Sequence, residues 1–157
     1  MSVSAVKEYL EQVGLGERIK IFEESSATVE LAAQTIGCEI KQIAKTMAFL
    51  VNEQPIVIVC AGNMKVDNSK YKAEFHEKAK MVPIPMLEEY IGHAMGGVCP
   101  FAVRENVIVY LDESLKENEI VYPAAGDEHS VVRLSLDELE QCAKAVGWID
   151  VCKCMAG

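Results

Sequence analysis

Lys45-Thr46-Met47-Ala48-Phe49-Leu50-Val51-Asn52-Glu53-Gln54-Pro55-Ile56-Val57-Ile58-Val59-Cys60-Ala61 is the stretch on which the fold of this chain turns. Two apolar runs, 45–51 and 55–61, flank the polar tripeptide Asn52-Glu53-Gln54. Short continuous apolar runs bounded by turn residues suit strands that are covered on both faces, so the stretch reads as a hairpin of two buried strands. Lys45 stands at the mouth of the first strand as a lone mobile cation.

Working outward, Val3, Val6, Leu10 and Val13 recur at helical spacing, and Gly14 and Gly16 follow as stop signals. Residues 18–23 alternate with period two, as a half-buried strand does. Ser25, Ser26 and Thr28 offer N-caps for a helix over Val29–Ile36 that Gly37 closes. Beyond the hairpin, Gly62-Asn63-Met64 breaks the pattern, and residues 68–79 read as an exposed polar helix capped by Asp67 or Asn68. Residues 81–84 suit a short strand or extended connector, and Pro85 sits in the first turn of a helix running to Met95. Strands are expected at 98–103, 107–111, 120–122 and 131–134, with short connections that favour antiparallel pairing. Ser135-Leu136-Asp137-Glu138 is a capping box opening a helix to Val146, which Gly147 ends. Helices and strands without a strict β-α-β rhythm predict an α+β fold with a mixed, largely antiparallel sheet. One domain over residues 1–157 fits the length and the 50% hydrophobic content.

No apolar run approaches the roughly 20 residues that cross a bilayer, and the first residues lack a basic region followed by an apolar segment. The expectation is a cytoplasmic protein with no membrane partner. Six cysteines, Cys38, Cys60, Cys99, Cys142, Cys152 and Cys154, are scattered through apolar or helical contexts and read as reduced thiols. Cys152 and Cys154 form a C-x-C pair without a second Cys or His pair, and His76, His93 and His129 lack ligand spacing, so neither a metal nor a cofactor is expected. The net charge of −9 argues against DNA and against general nucleic-acid binding. The average hides an asymmetry: residues 39–80 hold seven lysines and five acids, while the rest of the chain is strongly acidic. That segment is either a local basic face able to grip a short piece of nucleic acid or a solvated helix surface.

The second chemical feature is Gly96-Gly97-Val98-Cys99-Pro100-Phe101. A double glycine near a proline lets backbone N–H groups approach a ligand, which together with Lys45 suits a polarised carbonyl or a phosphate. An ordinary helix-to-strand turn fits the same letters. A thiol beside glycine N–H groups also leaves open a Cys-His hydrolase using Cys99. G-x-S-x-G, H-E-x-x-H, Walker A and G-x-G-x-x-G patterns are missing.

Six ordered pieces then resemble one family, over roughly residues 20 to 140. Thr28-x-x-x-Ala32-Ala33-x-x-Ile36-Gly37 is followed by Ile43-x-Lys45-Thr46, with Lys45 eight residues beyond the glycine. Next come Gly62 with Val66-Asp67, Gly92-x-x-x-Gly96-Gly97-x-x-Pro100, Ala125-Gly126-x-x-His129 and Leu134-Ser135-x-Asp137-Glu138-Leu139. This arrangement is similar to the YbaK/prolyl-tRNA-synthetase-associated domain family, which includes free-standing deacylases and the editing insertion of bacterial prolyl-tRNA synthetases.

The resemblance implies a compact mixed sheet or partial barrel flanked by helices, and hydrolysis of the ester that joins a wrong amino acid to the terminal adenosine of tRNA. The implied partners are the acceptor end of mischarged tRNA, with tRNA(Pro) carrying a small amino acid as the first candidate, and prolyl-tRNA synthetase. A non-catalytic tRNA- or nucleotide-binding module of the same fold is the alternative. Lys45 matches the family's essential lysine. A protonated ammonium has no lone pair with which to act as a base, so its role is to position the terminal phosphate or ester. The N–H groups of Gly96 and Gly97 would face the carbonyl oxygen, and Phe22, Thr28, Met47, Asp67, Phe101 and His129 are the candidate substrate-binding residues. The family is thought to use water or a substrate group as nucleophile, which fits the absence of a triad. Where its cysteinyl-tRNA-specific branch carries a serine and an aspartate, this chain has Ala124 and Val131.

Overall fold

A computed structural model describes residues 2–24 and 28–155. The hairpin forms as expected, as β2 (Ile43–Val51) and β3 (Gln54–Ala61) in antiparallel register from Ala44 opposite Ala61 to Val51 opposite Gln54. The turn is tighter than the sequence suggests, because Gln54 joins the strand and only Asn52 and Glu53 remain to connect. Their φ values of 48° and 67° are those of a two-residue turn with both positions left-handed, the geometry that matches strand twist.

The earlier elements are α1 (Ser2–Glu11), β1 (Ile19–Ile21) and α2 (Val29–Ile36). Thr28 caps α2 by accepting from the Leu31 N–H at 3.1 Å, and Gly37 ends it at φ 84°. The alternative caps Ser25 and Ser26 lie outside the described residues. β4 (Met64–Val66) and α3 (Asn68–Phe75) follow the hairpin, with Asp67 Oδ1 accepting from the N–H groups of Ser69 and Lys70. α3 stops four residues short of its expected end, since His76 turns left-handed at φ 64° while Phe75 packs between Tyr71 and Tyr110.

The middle of the chain is less regular than its apolar letters suggest. A 3-10 turn at Ile84–Met86 leads into α4 (Leu87–Tyr90), which ends before Met95 because Gly92 takes φ 110°. The strand expected over 98–103 is an irregular loop: the His93 ring donates to the Phe101 carbonyl at 2.7 Å, and Ala102 is left-handed at φ 53°. The remaining elements are β5 (Ile108–Asp112), β6 (Ile120–Pro123), β7 (Ser130–Val132), β8 (Leu134–Ser135), α5 (Leu136–Ala143), β9 (Gly147–Ile149) and β10 (Cys152–Cys154). The capping box of α5 is formed, with Ser135 and Glu138 exchanging bonds of 2.9 and 3.1 Å while Arg18 holds the same carboxylate.

The central sheet has the order β8-β6-β2-β3-β5-β9, and the ribbons β1–β7 and β4–β10 accompany it. The fold is α+β with a mixed sheet that curls into a half-barrel. Late strands pair antiparallel where connections are short, as β6 does with β8. β5 instead runs parallel to β3 and β9, because the chain between these strands is long enough to cross over. Strand alternation divides β3 between two cores. Val57 and Val59 pack with Val6, Leu10 and Leu139 on one face, and Ile56, Ile58 and Cys60 pack with Phe49, Tyr71 and Val151 on the other.

Candidate active site

One edge of β2 is covered in two places and open between them. β6 pairs with it only as far as Ala44 opposite Pro123. The segment 80–82 takes over further along, with Val82 donating to the Ala48 carbonyl at 3.1 Å and Leu50 donating to Lys80 at 2.8 Å. Residues 45–47 between these pairings border a cavity of about 360 Å³. α2 closes it on one side through Thr28, Val29 and Ala32, and Met81, Ile84, Met95 and Gly96 close it on another. Tyr122, Ala124 and Val131 form the wall toward β6 and β7, where Ala124 and Val131 meet in an antiparallel bridge. A pocket of this size with apolar walls and a few polar groups is the usual form of a small-molecule site.

Three groups give the cavity its chemistry. Lys45 lines it, and its ammonium donates to the carbonyl of Met64. That bond uses one of the three ammonium donors and leaves two. Thr46 also lines the cavity, and its Oγ1 is buried without a hydrogen-bond partner among the described residues, a condition that costs stability. Gly96 presents backbone alone at φ 91°, and neither its N–H nor that of Val98 makes a backbone hydrogen bond among the described residues.

Of the residues singled out from the sequence, Lys45, Gly96, Thr28 and Met47 therefore meet at this cavity. Gly97 sits beside it in a different role from the expected carbonyl donor. Its N–H donates to Ala94 at 3.1 Å, and a Cβ there would fall 2.3 Å from the Gly126 carbonyl oxygen. Its missing side chain lets the 94–97 turn lie on the 126–127 turn.

The other four expected binding residues are not in the cavity wall. Phe101 is fully buried in the core, 6.4 Å from the Tyr9 ring. Asp67 is the cap of α3, and its N–H bonds, that of Lys70 foremost, hold its carboxyl below the ordinary range. Phe22 lies on a separate hollow with Leu31 and Gln34, and its N–H donates to the His129 carbonyl at 2.7 Å. The exposed His129 ring donates through Nδ1 to the Glu24 carbonyl at 3.2 Å, so His129 fastens the segment before α2. Its Nε2 lies 3.6 Å from the Glu128 carboxylate.

Cys99 does have a histidine neighbour, with Sγ 3.5 Å from His93 Nε2. The pair is unsuited to nucleophilic attack. Burial pushes the thiol up to about 12, both side chains are fully inaccessible, and the same nitrogen is engaged by the Phe101 carbonyl. Thr46 is the functional candidate that sequence reasoning passed over. Its signal was a hydroxyl inside an apolar strand, and only the opening of the β2 edge brings that residue into a cavity wall.

Known proteins resemble the chain along most of its length. The family model described as "Aminoacyl-tRNA editing domain" matches residues 23–142, which include every cavity residue named above. The protein YwhH of Bacillus subtilis, whose name carries no activity, is 42% identical over 154 residues covering 98% of each chain. EbsC of Enterococcus faecalis, provisionally named a Cys-tRNA(Pro)/Cys-tRNA(Cys) deacylase, is 28% identical over 73% of this chain and 71% of its own. A crystal structure described provisionally as a trans-editing enzyme for prolyl-tRNA synthetase superposes with a TM-score of 0.87 at 26% identity over 97% of both chains. On this match, and with Lys45 and Gly96 brought to one cavity, the chain belongs to the aminoacyl-tRNA editing domain family.

Proposed function

We propose that this protein is a trans-editing aminoacyl-tRNA deacylase that works in the cytoplasm beside prolyl-tRNA synthetase, with tRNA(Pro) bearing a small apolar amino acid as its first substrate. The observation that carries the reading is the apolar cavity closing on Lys45, Thr46 and the bare backbone of Gly96. Water adds to the ester carbonyl carbon, the bond to the terminal ribose oxygen breaks, and that oxygen leaves with a proton. The N–H groups of Gly96 and Val98, without backbone partners among the described residues, suit the negative charge that develops on the carbonyl oxygen. The two spare ammonium donors of Lys45 suit the terminal phosphate or the ester itself. Thr46 lines the same wall.

Ala124 and Val131 support an apolar amino acid, since neither can hydrogen-bond a polar side chain. Selection then rests on volume, and one methylene is worth only about 1–3 kcal/mol in such a pocket. The test is a panel of alanyl-, cysteinyl-, seryl- and 2-aminobutyryl-tRNA(Pro), with other mischarged tRNAs alongside. Release of amino acid by the wild type, reduced on the order of a hundredfold or more in Lys45→Ala with an unchanged circular dichroism spectrum, is the expected result. Binding of tRNA without release from any member of the panel would replace the deacylase by a non-catalytic binding module.

A further inference from the structure

The ribbon formed by β4 and β10 carries a charge pattern for which the fold has no use. Its register sets Lys65 directly opposite Lys153, and both side chains are exposed. Directly opposed residues of an antiparallel pair have Cβ atoms about 4.5–5.5 Å apart, and like charges there work against pairing. Among the described residues neither lysine forms a salt bridge, whereas the nearby Lys70 is paired with Asp150 at 3.0 Å. The carboxylate that follows β4, Asp67, is engaged as the α3 cap and also feels the charge of Lys153. The two opposed lysines thus form no ion pair among the described residues of a protein of net charge −9.

Their position gives the pattern its meaning. The ammonium of Lys45 is anchored on the carbonyl of Met64, the residue immediately before Lys65, and Met64 lies opposite Cys154, the residue immediately after Lys153. The lysine pair therefore lies one residue along the ribbon, about 3.3 Å of strand, from the point where Lys45 is held. Lys45 lines the cavity and reaches the ribbon at Met64, which places the opposed lysines next along the chain from the site.

We infer that the Lys65–Lys153 face of the β4–β10 ribbon binds backbone phosphates of the single-stranded RNA end whose terminal nucleotide enters the cavity at Lys45. The inference rests on the aminoacyl-tRNA reading above. A phosphodiester lying between the two ammonium groups removes their repulsion and offers oxygens to both. Lysines act there as point charges that follow a phosphate without reading a base, so the lysine pair adds affinity and direction but no sequence preference.

The test is fluorescence anisotropy of uncharged tRNA(Pro) transcript between 50 and 200 mM NaCl, values at which about 0.7 of a unit of log–log salt slope attends each single-strand phosphate contact. The double variant Lys65→Gln with Lys153→Gln is expected to bind more weakly and to lower the slope by about 1.4. Lys7→Gln on α1 leaves the slope unchanged. Lys153→Glu places a carboxylate opposite Lys65, so its melting temperature rises while its tRNA binding falls, a divergence that a purely structural role would not produce. An unchanged slope in the double variant overturns the inference. Wild-type hydrolysis accompanied by that unchanged slope would leave the deacylase reading standing without the phosphate-binding face. Lysine-dependent binding without hydrolysis would support that face and remove the deacylase.

Discussion

Replacing Gly97 by alanine separates the two roles this glycine could have. Gly97 lies outside the left-handed region, so its backbone accepts alanine, and the substitution keeps the N–H. The difficulty is space, because the new Cβ falls 2.3 Å from the Gly126 carbonyl oxygen, 2.4 Å from its carbon and 2.6 Å from Asp127 Cα. All three are backbone atoms that cannot rotate away, so the 94–97 and 126–127 turns must separate by about 1 Å to restore ordinary contact. Overpacking of this kind costs about 1–3 kcal/mol. For a chain of this size that lowers the melting temperature by about 2–12 °C. Gly96, the adjoining residue, moves with the turn, and a misplacement of about 1 Å at a reacting centre can cost on the order of a hundredfold in rate. Thermal unfolding followed by circular dichroism, with single-turnover deacylation of the substrate identified in the panel, measures both effects. A Gly97→Ala protein that melts with the wild type would refute the packing argument.

Thr46→Val removes the unpartnered hydroxyl at nearly constant volume, so it should stabilise the fold by up to about 1 kcal/mol in urea denaturation while slowing deacylation. Equal losses of stability and activity would show instead that the hydroxyl supports the strand. His93 gives a pH dependence. Burial lowers its folded-state pKa beneath the ordinary 6.5, so the unfolded chain takes up the proton first and stability falls as pH drops below 6.5 toward the folded value. The urea midpoint should decline from pH 7.5 to 5.5, and His93→Gln should flatten that decline; a wild-type midpoint independent of pH over the interval would contradict it.

Local signals carried far into this structure. The buried hairpin, the cap of α2 at Thr28, the cap of α3 at Asp67 and the Ser135–Glu138 box were each legible within a few residues, because each depends on backbone partners close in sequence. Lys45 and Gly96, singled out through the spacing of the motifs around them, line one cavity. Phe101 and Asp67 stand away from the cavity wall, because their letters do not say which way a side chain points. A phenylalanine beside a glycine loop went to the core, and an aspartate in a family motif went to a helix terminus. Residues 98–103 have the apolar letters of a strand but lie where the buried His93 ring takes a backbone carbonyl.

The sequence by itself determined that β2 and β3 would pair, that their faces would be buried and that one lysine would stand at the strand mouth. Only the tertiary structure decided that β2 would part from β6 after Ala44 and so open a cavity onto Lys45, Thr46 and Gly96. It also decided that Gly97 would serve packing rather than the ester, and that Lys65 would face Lys153. The physical reason is range: turns and caps are settled by neighbours in the chain, whereas strand register and the place where two edges separate are settled by packing among segments far apart in sequence.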